Sequence, residues 1–468
     1  MRMRPNRGQT TLALLIGLTG LTGLAGGGAA APLDQVLATT YAGNPTLAAQ
    51  RAQLRAADEG VPQALAGWRP TVTVTASAGR GTYFSNMVPS RFEATRNPRT
   101  GAVTVTQPLY SGGRTVAATA QAEANVQAER ARLHATEQSV LLSATNAYLN
   151  VVRDEQVLAL SLNNEQVLKR QLEATQERFQ VGELTRTDLS QAEARLARAV
   201  ADRIGAEGTL KTSRANYLNA VGAAPDGLVL PGMPAGLPAR LDDATAAALA
   251  DNPSVVAADR GADAAREAVD VVFGELLPTV SVQADVTRTL DSGTLSANEV
   301  YSTTAKEVLL NLSVPLYEGG GTYARLRAAK QTAGQRRTEA DQARRDAVEA
   351  TSKAWEGLDS ARAQVRSYES QVRASEVALA GVREESLVGS RTVLDVLNAE
   401  QELFDARVNL ARAQHDQLAA AFQLKAAVGQ MTAENLGLPV DRYDPDAHYQ
   451  AVRDKWIGTG DEVEAAKK

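Results

Sequence analysis

Two hydrophobic patterns alternate along the chain of 468 residues. Short stretches place apolar and polar residues at strictly alternating positions, while long stretches repeat apolar residues every three or four positions. Strict alternation predicts strands, because successive side chains of a strand point to opposite faces. The longer spacing predicts helices with one apolar stripe. The sequence therefore predicts a protein that combines short amphipathic strands with long helices.

Four segments carry the strand pattern. Two of them are Thr71–Ala78 and residues 280–287, with apolar positions at Val72, Val74, Ala76, Ala78, Val280, Val282, Ala284 and Val286. Partner strands are predicted near Gly101–Leu109 and near Lys306–Leu316, and the latter has one face of Leu310, Leu312, Val314 and Leu316. Loops rich in small and polar residues are predicted between the partners, at about 80–100 and 291–305. One apolar and one polar face are typical of strands in a membrane barrel.

A long helical stretch follows each pair of strands and begins after a Gly-Gly pair, at 112–113 and at 319–320. The 68 positions from Arg114 to Val181 contain neither proline nor glycine. A helix over this stretch would be about 100 Å long, which requires coiled-coil packing along its apolar stripe. That stripe contains Leu158, Leu162, Val167, Leu168 and Leu172. Shorter helical stretches are predicted over Leu33–Ala66 and Leu241–Leu276.

The same unit is written twice in the chain. The matched positions are Leu33 with Leu241, Asn44 with Asn252, Pro70 with Pro278, Pro108 with Pro315, Val181 with Val388 and Val221 with Val428. The first three pairs are 208 positions apart and the last three are 207 apart, so one residue is missing between the strands of the second copy. This regular series predicts two structural repeats.

The repeats and the changes in composition divide the chain into five parts. Residues 1–30 carry three arginines, an apolar run and a small-residue end, which are typical of a cleaved signal peptide and predict export. A first repeat of two strands and long helices is predicted at 31–224, a Pro/Gly-rich linker at 225–238, a second repeat at 239–438, and a charged tail at 439–468. The tail is not repeated, and we expect it to lie on the surface.

Composition excludes several classes of protein. The chain has no cysteine, which excludes disulfides, thiolate metal sites and cysteine nucleophiles. The formal net charge of −5 becomes −8 without the three arginines of the signal peptide, and no basic patch rich in aromatics is present, so no nucleic-acid partner is expected. Beyond residue 30 no stretch approaches 18 apolar residues, so no membrane-spanning helix is predicted.

Candidate chemistry is sparse. The three histidines, His134, His415 and His448, lack the spacing of a zinc site or of a catalytic triad, and we interpret them as surface or packing residues. The Gly-Gly pairs do not follow the phosphate-binding pattern of glycines, and turn geometry explains them. We therefore predict no catalytic residue, no metal site and no cofactor, and we predict that the chain is not an enzyme.

Four membrane strands in one chain cannot close a barrel. An open four-stranded sheet leaves two edges whose backbone groups find no partner in lipid, at a cost of several kcal/mol for each group. Two copies would give a barrel of 8 strands that side chains fill, whereas three copies would give 12 strands around a lumen. The long helices cannot enter lipid, so they must project from the membrane. The strand count predicts an oligomeric pore with a helical extension.

Two stretches closely resemble the helical hairpins of TolC-family channel-tunnel proteins. They run from Arg178 to Asp188 in the first repeat and from Val388 to Arg407 in the second. The paired Pro-Leu-Tyr-x-Gly-Gly motifs, which begin at Pro108 and Pro315, resemble the strand-to-helix transitions of the same family. The resemblance covers residues 33–438. The end of the chain from Tyr443 to Trp456 is also similar to the tails of family members that serve type I secretion.

The resemblance implies an α+β membrane protein that assembles as a homotrimer. Its fold would be a 12-stranded β-barrel in outer-membrane lipid, with four strands per chain, continuous with a long α-helical barrel in the periplasm. Its implied function is that of a passive exit duct for type I protein secretion or multidrug efflux. The implied partners are a periplasmic adaptor and an inner-membrane exporter, either an ABC transporter or a proton-driven pump.

The tips of the two hairpins are the candidate functional site. Thr185 with Asp188, and Thr392 with Asp395, have the spacing of a capping box at the start of the returning helix. The resemblance implies that Asp188 and Arg391 form a link that closes the periplasmic entrance. It also implies that three copies of Asp395 form a carboxylate ring, which would select cations.

The tips depart from the family pattern at two positions. Asn398 stands where the family has an aspartate whose three copies form a second ring, and its neutral side chain halves the charge of the constriction. Ser386 stands where the family has a tyrosine that helps to hold the tip closed. We weigh the gate against a purely structural capping role, and the two roles can coexist.

The alternative function is that of a periplasmic coiled-coil adaptor or structural protein of an export complex. Such a protein would share the long helices but would lack paired amphipathic strands. A secreted or periplasmic enzyme is the other alternative, and no group of residues supports it.

Overall fold

The computed structural model describes residues 32–85, 92–292 and 300–460. The predicted signal peptide at 1–30 and the last eight residues of the predicted tail lie outside the described residues.

In the described part of the first half of the chain, four strands lie in sequence between three short helices and two long ones. Its elements are α1 (Leu33–Gly43), α2 (Pro45–Asp58), α3 (Gly60–Leu65), β1 (Thr71–Ala78), β2 (Gly81–Ser85), β3 (Phe92–Arg96), β4 (Arg99–Ser111), α4 (Arg114–Gln180) and α5 (Arg186–Val221). A short 3₁₀ turn, Ala66–Trp68, leads from α3 toward β1.

The second half repeats this order with fewer strands. Its elements are α6 (Leu241–Asp251), α7 (Pro253–Phe273), β5 (Thr279–Ser292), β6 (Val300–Ser313), α8 (Gly321–Leu387), α9 (Val393–Ala427) and α10 (Pro445–Val452). A 3₁₀ turn at Gly274–Leu276 again precedes the first strand. The predicted α+β combination of strands and very long helices is confirmed.

The two shorter helical stretches are broken at Asn-Pro, which the predicted spans Leu33–Ala66 and Leu241–Leu276 did not include. A residue before proline is forced into extended backbone, so the helix must stop and restart there. Asn44 caps the new helix by accepting from the Thr46 amide at 2.9 Å, and Asn252 accepts from the Ser254 amide at 2.9 Å. Proline at the first helical position costs nothing, because its missing amide would have no partner.

Both asparagines also bind the far end of their own repeat. The Asn44 side chain donates to the Ala220 carbonyl near the end of α5 at 3.5 Å, and Asn252 donates to the Ala427 carbonyl of α9 at 3.0 Å. The same contact therefore closes each repeat.

Four strands form one antiparallel sheet in the order β1-β4-β5-β6. Among the described residues, the outer strands β1 and β6 each pair on one side only. β5 ends at Ser292 and β6 begins at Val300, so residues 291–292 and 300–305, which the sequence predicted as part of a loop, belong to the strands. β6 ends at Ser313, and Val314 and Leu316 lie beyond the strand rather than in it. In the first loop, β2 and β3 form a separate hairpin where the sequence predicted only a loop.

The two faces of the sheet differ as the alternation predicted. One face carries exposed aliphatic side chains, namely Val72, Val74, Val103, Val286, Val308, Leu310 and Leu312. The other carries a chain of hydrogen bonds: Asn311 donates to Gln283 at 3.3 Å, Gln283 donates to Asp285 at 2.8 Å, and Thr104 donates to Asp285 at 2.6 Å. An apolar face that the protein leaves bare suits lipid, and a polar face suits water.

Glycine pairs turn the chain from sheet to helix. Gly112 and Gly113 have φ of 64° and 77°, and their counterparts Gly319 and Gly320 have φ of 65° and 82°. A Cβ on Gly112 would lie 2.3 Å from the Gly274 carbonyl oxygen, so no other residue fits there. The repeated motif is thus a glycine turn with positive φ in both repeats, as the sequence predicted, and the close backbone approach is found at Gly112 of the first repeat.

Two long hairpins make up the helical part. α4 packs along α5, α8 packs along α9, and α7 lies against both α4 and α8. The segment predicted as a linker is tied to both hairpins, because the buried Tyr148 hydroxyl donates to the Val229 carbonyl at 2.7 Å and Lys425 donates to the Ala235 carbonyl at 3.0 Å. Burial lowers the pKa of the Lys425 ammonium.

The C-terminal segment packs more closely than the expected surface tail. α10 contacts α2, and His448 and Val452 are buried. His448 Nδ1 lies 2.9 Å from Oδ2 of the fully buried Asp58. The histidine that the sequence left without a partner therefore joins the tail to the first repeat.

Candidate functional site at the helical hairpin tips

Each long helix ends at a glycine with left-handed backbone. Gly182 has φ of 83° after α4, and Gly389 has φ of 80° after α8. The next amide folds back in both turns, with Glu183 donating to the Arg178 carbonyl at 3.0 Å and Ser390 donating to the Glu385 carbonyl at 2.9 Å. These bonds satisfy carbonyls that a helix end leaves free. The two tips therefore have the same backbone.

A capping box starts the returning helix at both tips. The Asp188 carboxylate accepts from the Thr185 amide at 3.0 Å, and the Asp188 amide donates to the Thr185 hydroxyl oxygen at 3.2 Å. The corresponding distances between Thr392 and Asp395 are 2.9 and 3.3 Å. The capping geometry that the spacing predicted is thus present twice.

The capping bonds also tune the two carboxylates. Hydrogen bonds from the Thr185 side chain and backbone lower the pKa of Asp188. The pKa of Asp395 is lowered chiefly by the Thr392 amide, then by the Thr392 hydroxyl. A carboxylate that accepts hydrogen bonds is favoured in its charged form. Both exposed carboxylates therefore stay negatively charged at pH values below the range in which an aspartate usually titrates.

The tips carry ion pairs of opposite polarity. In the first tip Arg178, at the end of α4, donates to Glu183 in the turn at 3.0 Å. In the second tip Glu385, at the end of α8, accepts from Arg391 in the turn at 2.8 Å. Arg178 and Glu385 occupy matching positions of the two repeats. Each tip thus has an ion pair between the end of the long helix and the turn, and the sign of the charge at the helix end is opposite in the two repeats.

Arg391 contacts a residue of its own tip and not the predicted one. Within the described chain no ion pair joins Arg391 to Asp188, whose carboxylate is held by Thr185. The hydrogen bond from Arg391 to Glu385 raises the pKa of the guanidinium, and the charge of Asp395 adds to this effect. A link between Arg391 and Asp188 would therefore have to replace the bond to Glu385.

Packing explains why the position that matches Arg391 is leucine in the first repeat. Leu184 packs against a small cluster that joins the two hairpins near their tips. The buried members of the cluster are Leu168, Ala192, Ala199, Val393 and Leu397. An arginine at 184 would place a charge against this apolar contact. The difference between Leu184 and Arg391 at matching positions thus follows from the apolar cluster that Leu184 contacts.

Asn398 joins the two hairpins by a polar contact. The guanidinium of Arg195 on α5 donates to the Asn398 side-chain oxygen on α9 at 2.7 Å. Arg195 was missed by the sequence analysis, because only the packing of α5 beside α9 brings it to this position. The amide therefore serves as a partner for arginine across the two repeats.

Other kinds of site are not found in the described part of the chain. Across residues 32–85, 92–292 and 300–460, no group of three or more acidic or histidine side chains could hold a metal ion. None of the helices within these ranges is long and apolar enough to cross a membrane.

A solved outer-membrane channel shares this architecture. The chain superimposes on OprN, whose structure is described as an outer-membrane channel, with a TM-score of 0.73 and 23% identity over 85% of this chain and 89% of that chain. The protein therefore has the fold of an outer-membrane channel, with one four-stranded sheet and two long helical hairpins in the described part of each chain.

Sequence relationships give the family. Residues 36–223 and 245–430 match the family described as "Outer membrane efflux protein". The outer membrane efflux protein BepC of Brucella suis biovar 1 is 36% identical over 428 residues, which cover 91% of each chain. The alkaline protease secretion protein AprF of Pseudomonas aeruginosa is 28% identical over 317 residues, which cover 66% of this chain and 65% of the relative.

The chain belongs to the outer membrane efflux protein family. The resemblance to TolC-family channels is thereby confirmed. The protein lies in the outer membrane with its helical part in the periplasm, and it is an exit duct of an export system rather than an enzyme. The alternative of a periplasmic adaptor is set aside, because the chain has the sheet and the sequence of the channel family.

Proposed function

We propose that three copies of the chain close one barrel of 12 strands. The unpaired outer edges of β1 and β6 support this assembly, since a sheet edge in lipid leaves backbone groups without partners. In the trimer, β6 of one copy would pair with β1 of the next. The hydrogen-bonded face with Gln283 and Asp285 would line the lumen, and the face with Val72 and Leu310 would contact lipid.

The helical part connects this barrel to partners in the periplasm and the inner membrane. A periplasmic adaptor and an inner-membrane exporter are the partners that fit an exit duct. Relatives named for efflux and for protease secretion support two classes of exporter, a proton-driven drug pump and an ABC transporter for type I secretion. The class of exporter encoded beside the gene for this chain decides between them.

The hairpin tips form the gate of the duct. Their exposed charges are the observation that carries this proposal: the tip carboxylates Asp188 and Asp395 and the cation Arg391 all lie at the end of the helical part. Threefold symmetry would bring three copies of each around one axis. Three Asp395 carboxylates at a constriction would attract cations, and Asn398 adds no charge beside them.

Arg391 holds the gate closed by exchanging one carboxylate for another. In the single chain its partner is Glu385, at 2.8 Å, within the same tip. In the closed trimer its partner would be Asp188. Because both pairs are exposed to water, each is weak, but three copies act on one closed-to-open equilibrium.

Single-channel conductance of the trimer in planar bilayers tests the gate. Arg391→Ser should raise the conductance by about tenfold or more, because three links are lost together. Asp188→Asn should have the same effect, because it removes the charge that pairs with Arg391, while the asparagine oxygen can still accept from the Thr185 amide. Glu385→Gln should leave conductance low, because it removes only the partner within the tip.

The three variants separate the gate from a local role. Should Glu385→Gln open the channel as much as Arg391→Ser while Asp188→Asn does not, the arginine stabilises only its own turn, and the gate lies elsewhere. Asp395→Asn should weaken cation selectivity without changing the open probability.

A further inference from the structure

The C-terminal segment runs along the helical part toward the sheet. The Tyr443 amide donates to the Tyr41 hydroxyl on α1 at 3.1 Å, and Asp446 then pairs with Arg130 of α4 at 2.6 Å. Farther along, Arg453 pairs with Glu123 of α4 at 3.4 Å. Glu123 lies nearer to the sheet end of α4 than Arg130 does, by about 10 Å. The tail therefore runs from the middle of the helical part toward the membrane.

Arg69 holds the end of the described tail beside the first strand. Its guanidinium donates to the Lys455 carbonyl at 2.7 Å and lies 5.0 Å from the centre of the Trp456 ring. Arg69 is two positions before Thr71, where β1 begins. The contact thus places Trp456 at the boundary between the helical part and the sheet.

The apolar side chains at this end are exposed, unlike those earlier in the segment. Val452 is 5% exposed, whereas Trp456 is 65% exposed and Ile457 is 90% exposed. Trp68, directly before Arg69, is also exposed. Burying Trp456 and Ile457 would be favourable by about 2–3 kcal/mol for each side chain. No other part of the described chain covers them, so both side chains are accessible to an apolar surface.

The composition of the exposed end fits the surface of a lipid bilayer. Tryptophan is enriched at the level of the headgroups, because its ring is apolar and its N–H needs a polar partner. Arg69 and Lys455 place positive charge beside it, which suits phosphate groups. The position also fits, since the bare aliphatic face of the sheet begins at Val72, only a few residues from Arg69.

We propose that Arg69, Lys455, Trp456 and Ile457 form a tail anchor that binds the phospholipid headgroups of the periplasmic leaflet of the outer membrane. Trp456 and Ile457 enter the boundary between headgroups and acyl chains, while Arg69 and Lys455 contact the phosphates. The anchor fixes the height of the barrel in the membrane and holds the tail against the helical part. The proposal rests on the outer-membrane location of the protein.

Fluorescence quenching by brominated phospholipids tests the tail anchor in the full-length protein. The chain has three tryptophans, so Trp68→Phe combined with Trp355→Phe leaves Trp456 as the single probe. In vesicles, lipids brominated near the headgroup should quench Trp456 more strongly than lipids brominated near the ends of the acyl chains. The negative control keeps only Trp355, which packs inside the helical part and should lose no fluorescence.

A positive control separates the anchor from the barrel. Leu310→Trp, with the three native tryptophans replaced by phenylalanine, should be quenched by lipids brominated within the acyl chains, because Leu310 lies on the bare face of the sheet. If this probe is quenched and Trp456 is not, the tail anchor is wrong and the barrel stands. If Trp456 is quenched and the Leu310 probe is not, the anchor holds and the barrel assignment fails.

A neighbouring copy of the chain is the other surface that could cover Trp456. In that case the fluorescence of Trp456 would resist both brominated lipids and aqueous iodide, and it would change when the trimer dissociates. That result would overturn the lipid anchor. Within the lipid proposal, Lys455→Glu should reduce the quenching of Trp456, whereas Lys353→Glu, on the distant helix α8, should not.

Discussion

Asp395 and Asp188 bind their own helix ends, and this structural role determines the chemistry that they offer at the tips. Each carboxylate accepts from the amide and the hydroxyl of the threonine three positions earlier. These bonds lower the pKa of both groups. The same carboxylate oxygens therefore serve the helix cap and the proposed gate. A substitution of the threonine changes the cap and keeps the carboxylate.

Thr392→Val should remove the hydroxyl while keeping the shape of the side chain. The loss of the cap should cost about 1 kcal/mol of helix stability. The pKa of Asp395 should rise toward its ordinary value of 3.8, although the bond from the Thr392 amide remains. The reversal potential across a salt gradient should therefore show loss of cation selectivity at a higher pH than in the wild-type channel.

The sign of the pH effect follows from the lowered pKa. A lowered carboxyl pKa contributes stability above the unfolded value of 3.8, and this contribution is lost as the pH falls through the folded value. Thr185→Val is the matched control, because it changes the other tip and should leave the ring of Asp395 untouched. Equal shifts of selectivity in both variants would mean that Asp395 does not set it.

The buried pair of Asp58 and His448 predicts a second pH effect, in the docking of the tail. Burial raises the pKa of Asp58, and the hydrogen bond and charge of His448 oppose this only in part; Arg130 and Asp446 act on the same carboxyl. A raised pKa means that the folded chain binds this proton more tightly than the unfolded chain does. The contribution of Asp58 to docking should therefore fall as the pH rises from 3.8 through the folded pKa.

Asp58→Asn should remove this dependence, because asparagine keeps a hydrogen-bonding oxygen but does not titrate. Hydrogen exchange of the amides of α10, corrected for intrinsic rates, measures the docking across the pH series. Asp441→Asn is the control and should keep the slope, because Asp441 is an exposed carboxyl of the same segment that does not act on Asp58. An unchanged slope in Asp58→Asn would show that another group titrates when the tail is released.

At the scale of elements, strands and long helices differ in what determines them. The predicted helix from Arg114 to Val181 ends one residue earlier, at Gln180, and the strand Thr71–Ala78 has the predicted bounds. Both rest on local patterns, namely the absence of helix-breaking residues and strict alternation. The β2–β3 hairpin lacks such a pattern, so the sequence predicted a loop there.

Strand orientation can be tested at two adjacent positions of β5. Val282 is aligned with Leu310 of β6 on the aliphatic face, whereas Gln283 belongs to the polar chain with Asp285. Val282→Arg should reduce the amount of protein assembled in the outer membrane, because it places a charge on the lipid-facing side of the strand. Gln283→Arg should assemble normally and change single-channel conductance.

Heat-modifiable migration on gels and conductance in bilayers measure these two outcomes. The two variants carry the same new side chain, so each is the control for the other. If both fail to assemble, or if both assemble with unchanged conductance, the assignment of the two faces to lipid and lumen is wrong.

For the whole molecule, the open edges of the sheet mean that the oligomeric state determines whether the barrel can close. Native mass spectrometry of the protein extracted in mild detergent should give a trimer. A dimer would close only 8 strands, too few for a duct, and a monomer would leave both edges open. Either mass would contradict the proposed assembly.

The sequence by itself determined the features that depend on neighbours along the chain. Alternation gave the two faces of each strand, uninterrupted helical spacing gave the hairpins, and the Thr-x-x-Asp spacing gave both capping boxes. Each of these requires only residues within one strand, one turn of helix or one repeat. The duplication added the order of the elements, because the same pattern occurs twice.

Only the tertiary structure decided which distant residues meet. It paired Arg195 with Asn398, His448 with Asp58, and Arg69 with the end of the tail. It also packed the partly buried Leu184 against the cluster that joins the two hairpins. Such contacts join residues from different elements, and they depend on how long helices are aligned side by side. Local periodicity states which face of a helix is apolar, but it does not state which residue of another helix lies opposite.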